Sequence, residues 1–478
     1  MMTRILLIFA FTLFSTNSGF AANHSKRPPN VIVVLVDDLG WMDLSVQGSD
    51  FYKTPNIDHL AKTGTRFTDG YAACAVCSPT RAALMTGRHP HRLGITDWIR
   101  AEFQLGGRQG SNSDKPGYHD AGLNYLTPVN NTFLPHSELT VAELVKPAGY
   151  TTCFIGKWHL GGKGNLPTDQ GFDENFGGWD YGQPPSYFDP YTNKRLPQGI
   201  PTLKPRKEGE YLTDREADEA VGFINRNKDK PFLLYLSHYT VHTPIQAKQS
   251  VTDKYIPLKD GKGQDNAVYA SMLESLDDSM GRLLETLESN DLTDNTVIIF
   301  TGDNGGLDRN DNPTDNAPLK IGKGYATEGG IRVPRIVRWP GVTKAGSVNT
   351  TPITSVDLFP TIATITGSSV EENHQLDGKD LSDVLKGGQG PKRSLYWHFP
   401  HYRHRGGADP YSIVRNGDWK LIYYYDPMKV ELYNLSNDIG EQHNLVDDKP
   451  EITGRLLREL KEHLEETDAK KPIAKKQS

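Results

Sequence analysis

The chain has only three cysteines in 478 residues, Cys74, Cys77 and Cys153. That number excludes a scaffold built on disulfides, so stability has to come from a buried core. A basic excess is also missing: 53 lysines and arginines stand against 59 acids, a net charge of -6 with no long block of one sign. No footprint for nucleic acid is left, and the expected partner is a small molecule or a polysaccharide. The apolar run Ile5 to Phe14 is too short to cross a bilayer, and no later stretch approaches the roughly 20 apolar residues required. A transmembrane segment in the mature chain is therefore not expected, a retained N-terminal anchor being the alternative. Gly161-Gly162-Lys163-Gly164 matches neither nucleotide-loop spacing, so no nucleotide is implied. There are no internal repeats.

What is present begins with an export signal over residues 1–22: Arg4 gives a positive start, the apolar run follows, and Gly19-Phe20-Ala21 offers small residues for cleavage. The expected protein is periplasmic or secreted. Short runs rich in Val, Ile and Leu at Val31 to Val36, Thr151 to Ile155, Pro231 to Ser237 and Thr296 to Thr301 read as buried parallel strands. Asp265 to Leu287 carries the apolar spacing of a helix between the last two. The fold class expected is α/β, with a large, mostly parallel sheet flanked by helices over residues 23–370. A smaller antiparallel sheet plus helix is expected over 371–470: Arg415 to Tyr425 reads as one long strand, Asp426 to Lys429 as a turn and Glu431 to Leu435 as a returning strand. Ile452, Leu456, Leu457, Leu460 and Leu464 mark one face of a final helix, and 471–478 reads as a disordered tail.

Each strand is followed by polar residues: Asp37-Asp38, Lys157-Trp158-His159, His238 to His242 and Asp303-Asn304. In open α/β sheets ligands bind outside the carboxyl ends of the strands, so four such endings would converge on one crevice. Asp37, Asp38, Asp303 and Asn304 form a hard oxygen set suited to Ca²⁺, or less well to Mg²⁺. Taken singly, Asp37-Asp38 also reads as a solvated turn and Asp303-Asn304 as a cap. Lys157, His159, His242 and Lys323 supply cations and donors, with surface charge as the plainer alternative.

In Cys77-Ser78-Pro79-Thr80-Arg81, Ser78 suits an N-cap and Pro79 the first helical position, which sets Cys77 beside free backbone N–H groups at a helix start. Arg81 lies one turn on, where its planar fork can hold an oxyanion. A buried cysteine before an ordinary helix is the alternative.

Taken together, Asn30 to Asp38, Cys77 to Arg88, Gly156 to Gly161, Val241 to Pro244, Thr301 to Gly305 and Gly322 to Gly330 resemble, in order, the blocks of the formylglycine-dependent (type I) sulfatases of the alkaline phosphatase superfamily. The resemblance implies conversion of Cys77 to 3-oxoalanine by a formylglycine-generating maturation enzyme, and one Ca²⁺ held by Asp37, Asp38, Cys77, Asp303 and Asn304. It implies that Arg81, Lys157, His159, His242 and Lys323 bind sulfate or move protons. The hydrated aldehyde would attack sulfur and then expel sulfate by elimination, a sulfuric ester hydrolase acting on a sulfated saccharide.

A phosphate or phosphonate ester hydrolase and an exported, non-hydrolytic glycan-binding protein are the rival readings. His238 is the rival proton donor to His242. Trp98, Tyr118, Tyr125, Tyr187 and Tyr191, in the long loops Arg100 to Ser137 and Gly177 to Tyr211 or beside them, either stack on sugar rings or pack those loops. His398, His401 and His404, in His-Phe-Pro-His-Tyr-Arg-His, offer three closely spaced imidazoles to a transition metal, but Pro400 prevents a regular helix, so the segment reads instead as a titratable loop contributing to sugar recognition. Cys74 and Cys153 read as separate buried thiols rather than a disulfide.

Overall fold

Both faces of the first strand, Asn30–Val36, are buried. Ile32, Val34 and Val36 enter one apolar cluster and Val31, Val33 and Leu35 another, because successive side chains of a strand point to opposite faces. Such a run carries no in/out alternation to set its register, so its polar ends do: Asn30 Nδ2 donates to Thr296 Oγ1 at 3.2 Å, and Asp37 and Asp38 close the strand. The computed structural model describes residues 27–105, 115–258, 263–308, 313–371, 374–403 and 409–475. The export signal expected over 1–22 lies outside them, as do His404 and the last three residues.

Eight strands form the main sheet, in the order Ser347–Asn349, Thr65–Phe67, Arg335–Arg338, Thr296–Gly302, Asn30–Val36, Phe232–His238, Thr151–Gly156 and Glu174–Phe176. The last five run parallel, and Arg335–Arg338 is antiparallel to both of its neighbours. Helices Leu212–Asn227 and Ala267–Ser289 bury Phe223, Ile224, Leu273, Leu276 and Met280 on one face. Helices Cys77–Thr86, Val141–Val145 and Leu358–Thr366 bury Leu84, Met85, Val141, Phe359 and Ile362 on the other. Each fully buried side chain of this size contributes about 1.5–3 kcal/mol relative to exposure, which explains how so few cysteines suffice. Cys74 and Cys153 are separate buried thiols.

The C-terminal sheet has four antiparallel strands, Ser394–Phe399, Tyr411–Asn416, Trp419–Tyr425 and Met428–Asn434. The single long strand expected over Arg415 to Tyr425 is a hairpin. Asn416 pairs with Trp419 across Gly417-Asp418, and Gly417 takes φ +59°, so the Gly-Asp pair turns the chain back. The next turn is also tighter than expected, since Tyr425 pairs with Met428 across Asp426-Pro427. Helix Pro450–Glu466 lays Leu456, Leu460 and Leu464 on Val414, Leu421 and Leu432, as its apolar spacing requires. Of the tail expected over 471–478, the described part is ordered: Ile473–Ala474 pairs antiparallel with Leu126 and Tyr125. Buried charges tie this sheet to the rest of the molecule. Lys420 Nζ lies 2.9 Å from Glu328 and 2.8 Å from Glu441, and Arg415 lies 2.7 Å from Asp69.

Candidate active site

The carboxyl ends of the parallel strands open on one crevice, and the polar residues after each strand meet there. Gly156 makes the close approach possible. It takes φ +91°, and a Cβ at that position would sit 2.0 Å from the Ser237 carbonyl oxygen. The neighbouring Lys157 N–H donates to that carbonyl at 2.7 Å. Lys157 Nζ then reaches Asp37 Oδ2 at 2.6 Å, with both side chains fully buried. Asp38 and His159 hold φ of +59° and +58°, sparsely populated values for such residues that are retained where surrounding structure imposes them.

Helix Cys77–Thr86 points its first residue into the crevice. Ser78 is not its cap, contrary to expectation. The N-cap position is Val76, and Ser78 Oγ instead donates to the His159 carbonyl at 2.9 Å and accepts the Ile99 N–H at 2.9 Å. The serine thus ties the helix to two loops of the site. Arg81 is buried as the junction of three strand ends. Its Nε and Nη2 lie 2.9 and 2.7 Å from Asp303 Oδ2, and its Nη1 lies 2.6 Å from the Lys157 carbonyl and 2.7 Å from Ser237 Oγ. Lys323 Nζ bonds Asp38 Oδ1 and lies 3.3 Å from Cys77 Sγ. Asn304 Nδ2 donates to Asp38 Oδ1 at 2.8 Å, and the Asp38 N–H donates to Asp303 Oδ1 at 3.1 Å.

Burial dominates the electrostatics. It raises the Asp37 carboxyl, helped by Asp303 and Asp38 and opposed by Lys157. Asp38 is also desolvated, yet Lys323, His242 and Lys157 together hold it below the ordinary carboxylate range. The Cys77 thiol is raised by burial against the pull of Lys157 and Lys323. His242 is pushed down to about 3, by burial first and then by the two lysines, with Asp38 acting in the opposite sense. Its Nδ1 lies 2.9 Å from the Thr243 carbonyl, an acceptor, so Nδ1 carries the proton and Nε2 is left as a lone pair 3.5 Å from Asp38 Oδ2. His159 likewise spends Nε2–H on the Ile99 carbonyl at 2.7 Å, leaving Nδ1 buried without a partner.

Three buried oxygens of the acid cluster have no hydrogen-bond partner: Asp37 Oδ1, Asp38 Oδ2 and Asn304 Oδ1. Unpartnered acceptors gathered in one place fit a cation. Ligand atoms from Asp37, Asp38, Cys77 and His242 lie within 4.8 Å of one another, which adds His242 to the set expected from sequence.

Above the cluster is a cavity of about 830 Å³, whose lining includes Cys77, His159, His242 and Lys323. His238 is not part of it. Its Nδ1 lies 2.6 Å from Glu216 and its Nε2 3.0 Å from Ser279, so the rival donor is committed to the core. Of the aromatics considered, Trp98 lines the cavity, whereas Tyr187 and Tyr191 are fully buried and pack their loop. Tyr118 and Tyr125 lie on a small separate sheet. His398 is on a strand rather than a loop and bonds Ser412 at 2.7 Å, and His401 is buried against Thr96. Sequence reasoning missed Tyr181, Tyr402 and Arg403, which also line the cavity. They sit in segments without periodicity and are brought in only by long-range packing.

Residues 29–368 match the Sulfatase family model, and residues 321–470 match the C-terminal model of N-sulphoglucosamine sulphohydrolase. The chain is 32% identical to a sulfatase of Formosa agariphila, over 89% of this chain and 86% of the relative. It is 33% identical to human N-acetylgalactosamine-6-sulfatase, over 80% and 70% of the two chains. The crystal structure of Ps i-CgsB in complex with k-i-k-neocarrahexaose superposes with a TM-score of 0.75 at 33% identity, covering 91% of this chain and 93% of that one. With more than half its length matched by the family model, and with its buried acids, Arg81 and Cys77 meeting at the ends of the parallel strands, this chain belongs to the sulfatases, sulfuric ester hydrolases of the alkaline phosphatase superfamily.

Proposed function

We propose that the protein is an exported, calcium-dependent sulfatase that removes sulfate from a sulfated carbohydrate, using Cys77 converted to 3-oxoalanine. The observation that carries this reading is the mismatch at position 77. A buried thiol, its pKa raised by desolvation, stands within 4.8 Å of Asp37 and Asp38, among oxygen donors that suit a hard cation. A thiol is a poor ligand for Ca²⁺, and an oxygen at the same place is a good one. Asp37, Asp38, Asp303 and Asn304 would hold the ion together with that oxygen, and the bound ion would neutralise the adjoining carboxylates and polarise a sulfate oxygen. A hydrated aldehyde supplies an attacking hydroxyl and a second hydroxyl whose loss of a proton expels sulfate by carbon–oxygen cleavage.

The chain's own residues do the rest. Arg81 fixes Asp303 and the strand ends, so the acids are held before substrate arrives. Lys323, charged and kept so by Asp38, offers its ammonium to the sulfate oxygens beside residue 77. Lys157 Nζ balances Asp37 beneath the cavity. His242 Nε2, a lone pair in the resting site, takes up the proton of the attacking hydroxyl on residue 77 and returns it to the leaving alcohol, and His159 Nδ1 is an acceptor for the second hydroxyl on residue 77. A saccharide substrate is supported by the complex of Ps i-CgsB with k-i-k-neocarrahexaose and by the amino sugar in the name of the human relative. Export rests on the pattern of residues 1–22.

Mass spectrometry of the peptide containing residue 77, from cells with and without a formylglycine-generating enzyme, tests the reading. The aldehyde and hydrolysis of 4-nitrophenyl sulfate are expected together. Full activity from the unmodified thiol would refute the proposed nucleophile, and faster turnover of 4-nitrophenyl phosphate would move the chemistry to phosphate esters.

A further inference from the structure

The mouth of the cavity is cationic although the protein as a whole is acidic. Its lining holds Arg100, Lys194, Arg195, Arg403 and Lys323 against a single carboxylate, Asp97, while the chain's net charge is -6. Lys323 is already committed to Asp38 and Cys77, and Arg403 bonds the Lys323 carbonyl. Asp97 is buried and accepts the Trp98 N–H at 2.8 Å.

Lys194 and Arg195 are different. They occupy the two corner positions of a turn that is held rigidly from within. Asn193 Oδ1 accepts the N–H groups of Arg195 and Leu196, both at 2.9 Å, Asn193 Nδ2 donates to the Pro185 carbonyl at 3.0 Å, and Leu196 is buried as an anchor. Both cationic side chains are exposed, and no carboxylate lies within ion-pair distance of either among the described residues. Arg100 is also exposed and lies 4.8 Å from the Trp98 ring centroid, which sets its guanidinium over an aromatic face of the same cavity. Two exposed like charges repel only weakly in water, so what points to an anion is their convergence with Arg100 on the lining of one cavity.

We propose that Arg100, Lys194 and Arg195 bind a second anionic group of the substrate, outside the sulfate ester that is cleaved, so that the natural substrate is a polyanionic saccharide rather than a singly sulfated one. This rests on the carbohydrate sulfatase reading above and narrows its substrate class. The arginine forks suit a planar or tetrahedral oxyanion, and the Trp98 ring beneath Arg100 fixes where one of them is presented. The reacting ester contacts the residues around Cys77, so the rim sets affinity while the floor sets turnover.

The test uses 4-nitrophenyl sulfate as a singly charged substrate and dextran sulfate as the polyanionic competitor, with neutral dextran as control. Dextran sulfate should inhibit wild-type hydrolysis competitively and neutral dextran should not. Lys194→Ala/Arg195→Ala should raise the inhibition constant about tenfold, as expected for two lost charge-assisted contacts at a partly exposed site, and Arg100→Ala about threefold. Lys194→Arg/Arg195→Lys should restore inhibition, since it keeps both charges. Inhibition constants unchanged in the alanine variants, or equal inhibition by neutral dextran, would overturn the proposal. Failure of the wild-type enzyme to hydrolyse 4-nitrophenyl sulfate would instead refute the sulfatase reading of Cys77, and binding of dextran sulfate to wild-type and variant proteins would then be compared by calorimetry.

Discussion

Arg81→Lys preserves the charge at the centre of the site and removes its geometry. The arginine makes contacts in two directions, with Nε and Nη2 on Asp303 and Nη1 on the Lys157 carbonyl and Ser237 Oγ. A lysine ammonium at the end of a flexible stem can satisfy one of these groups but not both. If it keeps Asp303, the two contacts of Nη1 are lost. Hydrogen bonds to charged groups contribute about 1.5–3 kcal/mol each, so the loss is about 3–6 kcal/mol. Ser237 still donates to the Lys157 carbonyl at 2.8 Å, which places the expected value in the lower half of that range. Urea unfolding followed by tryptophan fluorescence, at fixed pH and with and without added calcium, measures the cost. A midpoint shift equivalent to about 3–4 kcal/mol with little change in the denaturant slope is expected. Destabilisation below about 1 kcal/mol would refute the claim that the fork, rather than the positive charge, holds the strand ends together.

Chelation should lower the thermal midpoint of the purified protein and calcium should restore it, by about 2.7 kcal/mol of stability at a hundredfold excess over the dissociation constant; Asp38→Asn should abolish that response, and an unchanged one would sink the assignment of the acid cluster. His398 and His401, pushed down by burial to about 4 and about 3, stay neutral in the fold while the unfolded chain protonates near about pH 6.5. The unfolded state therefore binds more protons below that value. Stability is full above about pH 6.5 and falls by up to about 1.4 kcal/mol per pH unit for each histidine as pH drops toward the folded values, a slope that His398→Asn should reduce in thermal unfolding between pH 7.5 and 5.

Much of the site could be read from the chain because its residues follow directly on buried strands. Val31 to Val36 and Thr296 to Thr301 are apolar enough to be recognised as strands, and the switch to Asp37-Asp38 and Asp303-Asn304 marks where each strand leaves the core. The convergence of those ends follows from parallel pairing. Ser78 was misread because its sequence context fits a cap as well as a bridge between loops, and the choice depends on where residues 99 and 159 come to rest. The hairpin at Gly417 was missed for a different reason. The turn is only the two residues Gly417-Asp418 between strand-forming segments, Tyr411 to Val414 and Trp419 to Tyr425, and the positive φ of the glycine reverses the chain there.

The pairing of charges was beyond the sequence altogether, and desolvation explains why. Asp37, Asp38, Arg81, Lys157 and Lys323 sit in an interior where an unpaired charge costs several kcal/mol, so each must be matched by what reaches it. Lys157 takes Asp37, Lys323 takes Asp38, and Arg81 takes Asp303. Three cations on three acids balance in charge, yet Asp37 Oδ1, Asp38 Oδ2 and Asn304 Oδ1 are left without a hydrogen bond, and the His242 Nε2 lone pair faces Asp38. The surplus is of acceptors on one side of the cluster, next to residue 77. A second set of protein cations there would satisfy the acids and close the site to substrate. A divalent ion would satisfy the same oxygens while leaving Lys323 and His242 on the cavity lining.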